Sequence, residues 1–242
     1  MKIIADLHTH SVFCDHAFST IEENARAASE KGMRFLGVTE HGSSMAGAPS
    51  TLHFGCLVKY YPAEQHGVKL LKGAEVNIVN FEGELDLSDN LLSGLHWVIA
   101  SMHSHTLAPG TVEQHTQTWL EVAKNPHVDV IGHCGHSVFE FDYERVIPEF
   151  ARNGKIVEIN NHSFTARSGS DVNCPKIARL CAKHGVRVVI NSDAHHHTQI
   201  GVHNRAIAML EEIDFPQELI LNADYDRLVG ALNEITGLSW AD

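Results

Sequence analysis

The sequence has few basic residues. Lysine and arginine together number 18 among 242 residues, against 30 aspartates and glutamates, which gives a formal net charge of -12. Proteins that bind long stretches of nucleic-acid backbone rely on clustered lysine and arginine. We therefore do not expect nucleic acid to be the main partner. An acidic chain with a cationic pocket would suit a small anionic substrate.

Long apolar runs are also lacking. The runs present are far shorter than the roughly 20 residues that a helix needs to cross a bilayer. No basic segment followed by an apolar stretch opens the chain, as it would in a secretion signal. We therefore expect no membrane partner and a cytoplasmic location.

The sequence has few cysteines, and their spacing does not indicate disulfide pairs. The five cysteines form no CxxC pair, and their odd number leaves one over. This usage indicates reduced thiols rather than a disulfide framework. Cys134 follows a candidate metal ligand, but we interpret it as a small buried hydrophobic residue.

Histidine, by contrast, is abundant, and much of it follows short apolar runs. Nineteen histidines outnumber lysine and arginine combined. Seven nearly continuous apolar runs predict strands that are buried on both faces. They lie at residues 3–8, 35–40, 69–76, 97–102, 128–132, 156–160 and 186–192. Helical patterns separate most of them, and Ser19 with Glu22 is placed as the capping box of the first helix.

Strands that alternate with helices predict parallel βαβ units. Seven units favour a closed or nearly closed (β/α) barrel formed by one domain over residues 1–242, although an open doubly wound sheet has the same alternation. The polar residues favour the barrel. Six of the seven strands end on histidine, glutamate or aspartate, and active sites of such barrels lie at the carboxyl ends of the strands.

The strand ends supply a candidate set of metal ligands. Its members are His8, His10, His16, His41, Glu75, His103, His133, Asp193 and His195. Seven imidazoles and two carboxylates suit zinc, manganese or iron rather than calcium or magnesium. Nine ligands are too many for one ion at about four protein ligands each, so they predict three ions with a carboxylate bridging two of them.

The individual signals differ in strength. A single histidine at a strand end is more often an ordinary polar residue, but nine such residues at one rim favour a metal site. His8 and His10 are the strongest pair because residues two apart in a strand share a face. Glu75 is the best candidate bridge, and His16, which lies in a loop, has the weakest spacing argument.

The ordered motifs resemble the PHP (polymerase and histidinol phosphatase) family over nearly the whole chain. Their size and spacing are similar to small stand-alone bacterial phosphatases of the YcdX type. The motifs are DLHTH at residues 6–10, TEHG at 39–42, GAEVN at 73–77, the isolated His103, GH at 132–133, EINN at 158–161 and SDAH at 192–195. Each motif is short, and their ordered set carries the resemblance.

The resemblance implies a distorted (β/α)7 barrel, TIM-barrel-like, with a trinuclear and usually zinc centre at the rim. It implies that His8, His10, Glu75 and Asp193 hold one ion, that Glu75, His103 and His133 hold a second, and that His16, His41 and His195 hold a third. Two positions depart from the family pattern. Glu40 replaces a common aspartate and Cys134 a common proline, and neither removes a ligand.

The implied reaction is phosphomonoester hydrolysis by a phosphatase in which a metal-bridging hydroxide attacks phosphorus. Glu75 and Asp193 would organise the metals. Arg167, in the loop after the sixth strand, is the candidate phosphate clamp because its guanidinium matches phosphate oxygens. An ordinary surface role for Arg167 is equally compatible with the sequence. His162 or a metal-bound water would protonate the leaving group.

Three alternatives remain open at this point. An amidohydrolase also uses an HxH pair and a late aspartate, but the extra histidines and the lack of a bridging lysine count against it. A 3′–5′ exonuclease fits the ligands but not the lack of basic runs. A metal buffer would carry histidine in flexible tracts rather than at strand ends. Since barrel enzymes often associate, we also expect a small homo-oligomer.

Overall fold

The computed structural model describes residues 1–241 and contains a ring of parallel strands. Seven of the strands in these residues follow one another around the ring in chain order, and each is parallel to its neighbours. Their bounds are β1 (Ala5–Asp6), β2 (Phe35–Val38), β4 (Val68–Asn77), β5 (Trp97–Ser101), β6 (Val130–Ile131), β7 (Ile156–Asn160) and β8 (Val188–Asn191). All seven lie within or overlap the predicted runs.

One short strand was not predicted. β3 (Glu64–Gln65) pairs antiparallel with the start of β4. The two-residue connection has φ values of 53° at His66 and 76° at Gly67. Positive φ at both positions is the geometry that suits the right-handed twist of a hairpin. The polar residues of β3 hide this strand from a search for apolar runs.

The ring closes between its first and last strands through few backbone contacts. Thr9 and Ala194 form an isolated parallel bridge. Lower down, the buried side chain of Asn222 takes the place of a strand: its Nδ2 donates to Ala5 O at 3.0 Å and Ile190 O at 2.6 Å, and its Oδ1 accepts from Ile190 N at 3.1 Å. One amide therefore joins the two facing edges at Ala5 and Ile190, and the fold is the predicted distorted (β/α)7 barrel, nearly closed.

Helices surround the strands, as the alternation predicts. They are α1 (Ile21–Glu30), α2 (Thr51–Tyr60), α3 (Asp89–Leu92), α4 (Val112–Lys124), α5 (Tyr143–Arg152), α6 (Ser163–Ala166), α7 (Ser170–His184), α8 (Asn204–Glu212) and α9 (Tyr225–Thr236). The expected capping box of α1 is wrong by one residue. Thr20 and Glu23 form it, because the Ser19 hydroxyl instead accepts a hydrogen bond from His197 N.

The lower half of the barrel interior is apolar. Side chains such as Leu71, Trp97 and Val189 point inward and are completely buried. α9 covers this end with Leu228 and Leu232, which belong to the same cluster. Burying each large apolar side chain contributes about 1.5–3 kcal/mol, so this layer is a major source of stability.

The structure also bears on the predictions about membrane helices and cysteines. Within residues 1–241, no helix is long and apolar enough to cross a membrane. All five cysteines are free thiols. Cys134 packs in the main apolar cluster, and burial raises the pKa of its thiol well above the usual value. It is the buried hydrophobic residue that the sequence predicts.

Candidate metal centre

The segment that carries His8 and His10 leaves its strand early. Pairing in β1 ends at Asp6, and Leu7 then passes so close to Gly37 that a Cβ atom there would lie 2.4 Å from the Leu7 carbonyl oxygen. Glycine is the residue that permits this approach. Both histidines are completely buried, and their Nε2 atoms lie 3.6 and 3.2 Å from Asp193 Oδ1. The structure thus brings the pair together.

Glu75 lies at the centre of the site, on the inward face of β4. Five histidines place a ring nitrogen near its carboxylate. The distances are 2.8 Å for His41, 3.3 Å for His8 and 3.5 Å for His10 at Oε2, and 2.7 Å for His133 and 3.3 Å for His103 at Oε1. A carboxylate whose two oxygens each face a separate histidine group has the geometry of a bridging ligand.

Asp193 divides its two oxygens between different partners. Oδ1 faces His8 and His10, whereas Oδ2 accepts from Arg167 at 2.9 Å and from Asn160 at 3.2 Å. The backbone of Asp193 has a φ of 57°. A non-glycine residue in this region costs about 1–3 kcal/mol and persists where the surroundings enforce it. The hydrogen bonds to Oδ2 leave Oδ1 facing the histidines.

The outer part of the site is a group of stacked imidazoles. The ring of His10 lies 4.2 Å from that of His41 and 4.4 Å from that of His195. His16, whose spacing argument is the weakest, comes from the exposed loop before α1, and its ring lies 5.0 Å from both His41 and His195. All nine predicted ligands therefore converge on one region of the rim.

The protonation states suit metal binding. Burial would raise the pKa values of Glu75 and Asp193, but nearby histidines, joined at Asp193 by Arg167, hold both well below the usual range. Burial lowers the pKa of His133 to about 4. Burial also lowers the pKa of His10 well below its usual value. Anionic carboxylates and neutral imidazoles are the forms that bind metals.

His8 has the opposite shift. Burial disfavours its charged form, but the carboxylates of Glu158, Glu75 and Asp193 outweigh burial and raise the pKa of His8 well above its usual value. These carboxylates therefore favour the protonated form of His8. A metal ion that binds to its Nε2 must displace that proton.

The residues fit a metal because their polar atoms have few protein partners. In the part of the chain that the structure describes, seven buried atoms of the site lack a hydrogen-bond partner: His8 Nε2, both ring nitrogens of His10, His41 Nδ1, Glu75 Oε2, His103 Nε2 and Asp193 Oδ1. Such buried groups normally require a partner or a coordinated ion. Mixed imidazole and carboxylate ligands are typical of zinc, manganese and iron sites.

Ligand atoms close enough to share one ion occur in several triads. Atoms within 4.8 Å of one another are offered by His8, His10 and Glu75, by His41, Glu75 and His103, by His10, His41 and His195, and by His162, Asp193 and His195. Glu75 belongs to two of these triads, as does His10. The cluster can therefore hold metal, and its shared members allow ions to lie side by side.

Comparison with known proteins identifies the family of the chain. The PHP domain model matches residues 6–162. The chain belongs to the PHP domain family. A "Probable phosphatase" of Acetivibrio thermocellus is 43% identical over 227 residues, which are 94% of each protein, and one of Clostridium novyi is 43% identical over 230 residues, 95% of this chain and 94% of the relative. The predicted family and the predicted hydrolase class are both confirmed.

The fold of this PHP domain is also found in solved structures. Histidinol phosphate phosphatase of Lactococcus lactis, complexed with zinc, L-histidinol and phosphate, superposes with a TM-score of 0.57 at 14% identity, over 88% of this chain and 94% of that one. At this identity the likeness concerns the fold. It agrees with the distorted barrel described above.

Sequence reasoning missed the role of Glu158, which supports the PHP-domain site from beneath. Its Oε1 lies 2.7 Å from His8 Nδ1, and its Oε2 accepts from His133 N at 2.9 Å. Asn160 and Asn191 donate to the same carboxylate. Glu158 thus fixes the His8 ring with Nε2 toward Glu75 and holds the strained His133 backbone, which has a φ of 24°. The sequence did contain one signal for this role, a carboxylate between the apolar residues Val157 and Ile159 of a predicted buried strand.

Two more residues position ligands. Asn77 Oδ1 lies 2.8 Å from His103 Nδ1 and directs the opposite ring nitrogen toward Glu75. Glu40, the departure from the family pattern, is buried and accepts hydrogen bonds from Ser11 N, Ser11 Oγ and Cys14 Sγ. Its carboxylate orders the start of the loop that carries His16.

An open cleft of about 490 Å³ gives access to the site. His16, His41, His103 and His195 form part of its wall. Arg167 and His162, predicted as phosphate clamp and proton donor, line the same cleft. Arg167 donates to Asp193 through one nitrogen and lies 3.3 Å from Ser163 Oγ through another, so its guanidinium is fixed at the edge of the cleft.

Proposed function

We propose that this hydrolase cleaves small phosphomonoesters at a centre of three metal ions. The observation that carries the proposal is the Glu75 carboxylate, whose two oxygens face five histidines. Several of these buried atoms, Glu75 Oε2 among them, make no hydrogen bond. Bound divalent ions would supply a water nucleophile of lowered pKa and neutralise charge on the phosphoryl oxygens.

The nine ligands divide among three ions as the family resemblance implies. His8, His10, Glu75 and Asp193 would hold the first, Glu75, His103 and His133 the second, and His16, His41 and His195 the third. The separate use of the two Glu75 oxygens supports its place in two sets. Zinc is our first choice because the donors suit it and the L. lactis relative in fold is complexed with zinc. Manganese and iron suit the same donors.

The residues of the chain have distinct tasks in this proposal. Arg167 holds the phosphoryl oxygens, since its guanidinium is fixed beside Asp193 at the cleft edge. The ion pair with Asp193 also restrains that carboxylate. His162 lines the cleft without belonging to the nine ligands, so it is the group that holds a proton for the leaving alcohol.

A substrate panel tests the reaction class. The purified protein would be stripped with a chelator, reloaded with zinc, manganese or iron, and assayed on p-nitrophenyl phosphate, bis-p-nitrophenyl phosphate, p-nitrophenyl acetate and a labelled single-stranded oligonucleotide. We expect the monoester to be the best substrate, with activity lost on stripping and regained on reloading. Preferential cleavage of the acetate would indicate an amidohydrolase-like enzyme, and preferential cleavage of the oligonucleotide an exonuclease.

A further inference from the structure

A second cavity, of about 280 Å³, adjoins the cleft of the metal centre. His162 lines both spaces. The cavity lies between the end of β7, the start of α8 and the segment after β8, from which Asn161, Arg205 and Gln199 contribute to its wall. The shared His162 places this cavity next to the cleft in which the proposed function puts the phosphoryl group.

The wall of this cavity presents hydrogen-bond donors. Asn161 Oδ1 is occupied, because it accepts from the backbone nitrogens of Arg205 and Ala206 at 2.9 and 3.1 Å. Gln199 Oε1 accepts from the backbone nitrogens of His195 and His196 at 2.8 and 3.2 Å. Each amide therefore keeps its NH2 group as the donor toward a ligand.

The charge of the wall is positive although the chain is acidic. Arg205 lines the cavity, and no carboxylate among residues 1–241 does so. The guanidinium lies 5.5 Å from the centre of the Phe164 ring and donates one N–H to the Phe164 carbonyl oxygen. These contacts hold a planar group with further N–H donors against Phe164, which lines a neighbouring pocket that Arg205 also borders. Such a group suits a carboxylate or a phosphate.

We propose that this cavity is the leaving-group subsite and that it selects phosphomonoesters whose leaving alcohol carries a second anionic group. Arg205 binds that group, and the amide nitrogens of Asn161 and Gln199 bind its oxygens. A neutral polyol would use the amides but not the guanidinium. The inference rests on the proposed function, because it takes the cleft as the place of the phosphoryl group.

Three matched compounds test the preference. Glycerol 3-phosphate is the reference because its leaving alcohol, glycerol, is uncharged. In 3-phosphoglycerate a carboxylate replaces the terminal CH2OH group, and in glycerol 1,3-bisphosphate that group carries a second phosphate. Each would be measured with metal-loaded protein as an inhibitor of p-nitrophenyl phosphate hydrolysis and by calorimetric binding. We expect the wild-type protein to bind at least one anionic compound about tenfold more tightly than the reference, the effect of one charge-assisted hydrogen bond. Which anionic compound is preferred identifies the second group.

Variants separate the subsite from general electrostatics. Arg205→Gln should lose the roughly tenfold preference, while Arg205→Lys should keep part of the preference. Arg179→Gln removes a nearby arginine that does not line the cavity and should change nothing. Equal binding of all three compounds by the wild type, or an unchanged preference in Arg205→Gln, overturns the proposal. Failure to hydrolyse p-nitrophenyl phosphate would instead overturn the proposed function, and calorimetry would still report the preference.

Discussion

The two ends of the barrel are built from the same strands and have opposite chemistry. On the inward face of β4, Leu71 at the lower end is followed four residues later by Glu75. β7 passes from Ile156 to Glu158, and β8 from Val189 to a rim that carries Asp193. The lower layer buries apolar side chains, whereas the upper layer buries charged and polar ones.

The difference shows where stability and function are located. The upper end contains strained backbone at His133 and Asp193 and buried polar atoms without protein partners. Both features destabilise a fold unless other contacts hold them in place. Glu158 holds the His133 backbone and Arg167 holds the Asp193 carboxylate, while the lower end, packed against α9, supplies apolar burial. Substitutions at the upper end should therefore impair metal binding and activity, and substitutions at the lower end should reduce stability alone.

Replacement of the central carboxylate should have the largest effect. Glu75→Gln keeps the size of the side chain and removes the charge that five histidines face. We expect the metal content to fall and kcat/KM for p-nitrophenyl phosphate to drop by about 10³-fold or more, since metals contribute several kcal/mol to such reactions. Elemental analysis and steady-state kinetics measure both. Glu82→Gln, on an exposed loop, is the matched control, and full turnover by Glu75→Gln would end the bridging assignment.

A cavity at the lower end should have the reverse effect. Leu232 of α9 is completely buried in the lower apolar cluster. Leu232→Ala should lower the free energy of unfolding by about 2–5 kcal/mol, as measured by denaturant titration. Metal content and kcat per folded molecule should stay unchanged. Leu238→Ala, at a half-exposed position, should be nearly neutral; loss of metal in Leu232→Ala would contradict the separation of the two ends.

Glu158 lies where the two layers meet and sharpens the comparison. Glu158→Gln should weaken metal binding by about 10- to 100-fold, the usual effect of removing a residue that orients a metal ligand. Competition with a chelator of known affinity measures this change. Glu234→Gln, an exposed surface residue, serves as control. Unaltered metal affinity in Glu158→Gln would show that His8 and His133 are positioned without it.

The smallest predicted effect is a pH dependence of stability that arises at the lower end of the barrel. Burial raises the pKa of Asp129, which precedes β6, to about 7. The folded state then keeps a proton that the unfolded state loses near pH 4, so this group reduces stability as pH rises from about 4 to 7. Because the Asp129 residue keeps some solvent exposure and both Val98 N and Lys155 favour its anionic form, we expect about 1 kcal/mol rather than the roughly 4 kcal/mol of a full shift.

The isosteric variant Asp129→Asn tests this effect by denaturation at pH 4 and pH 7. It should gain stability relative to the wild type at pH 7, little at pH 4, and have unchanged activity. A stability difference that does not depend on pH would show that Asp129 titrates normally.

The sequence predicted the features that depend on local pattern. Apolar runs located seven strands, and residues such as His103 and His133 at strand ends were assigned to the rim because all parallel strands present their carboxyl ends there. His8 and His10 converge as expected. The close approach of Leu7 to Gly37, by contrast, could not be predicted from the spacing of residues in the strand.

Features that depend on contacts between distant residues were not predicted. Glu158 contacts His8, 150 residues away in the sequence, and Asn222 joins β1 to β8 from outside both strands. The hairpin strand β3 has no apolar residue to mark it. These features arise from packing in three dimensions, which the one-dimensional pattern does not encode.

Metal stoichiometry tests the central claim most directly. Stripped protein would be titrated with zinc while bound metal per chain and p-nitrophenyl phosphate hydrolysis are followed in the same samples. We predict that about three ions bind per chain and that activity reaches its maximum when the last of them is bound. Full activity with a single ion per chain, or activity indifferent to the chelator, would contradict a trinuclear centre at the barrel rim.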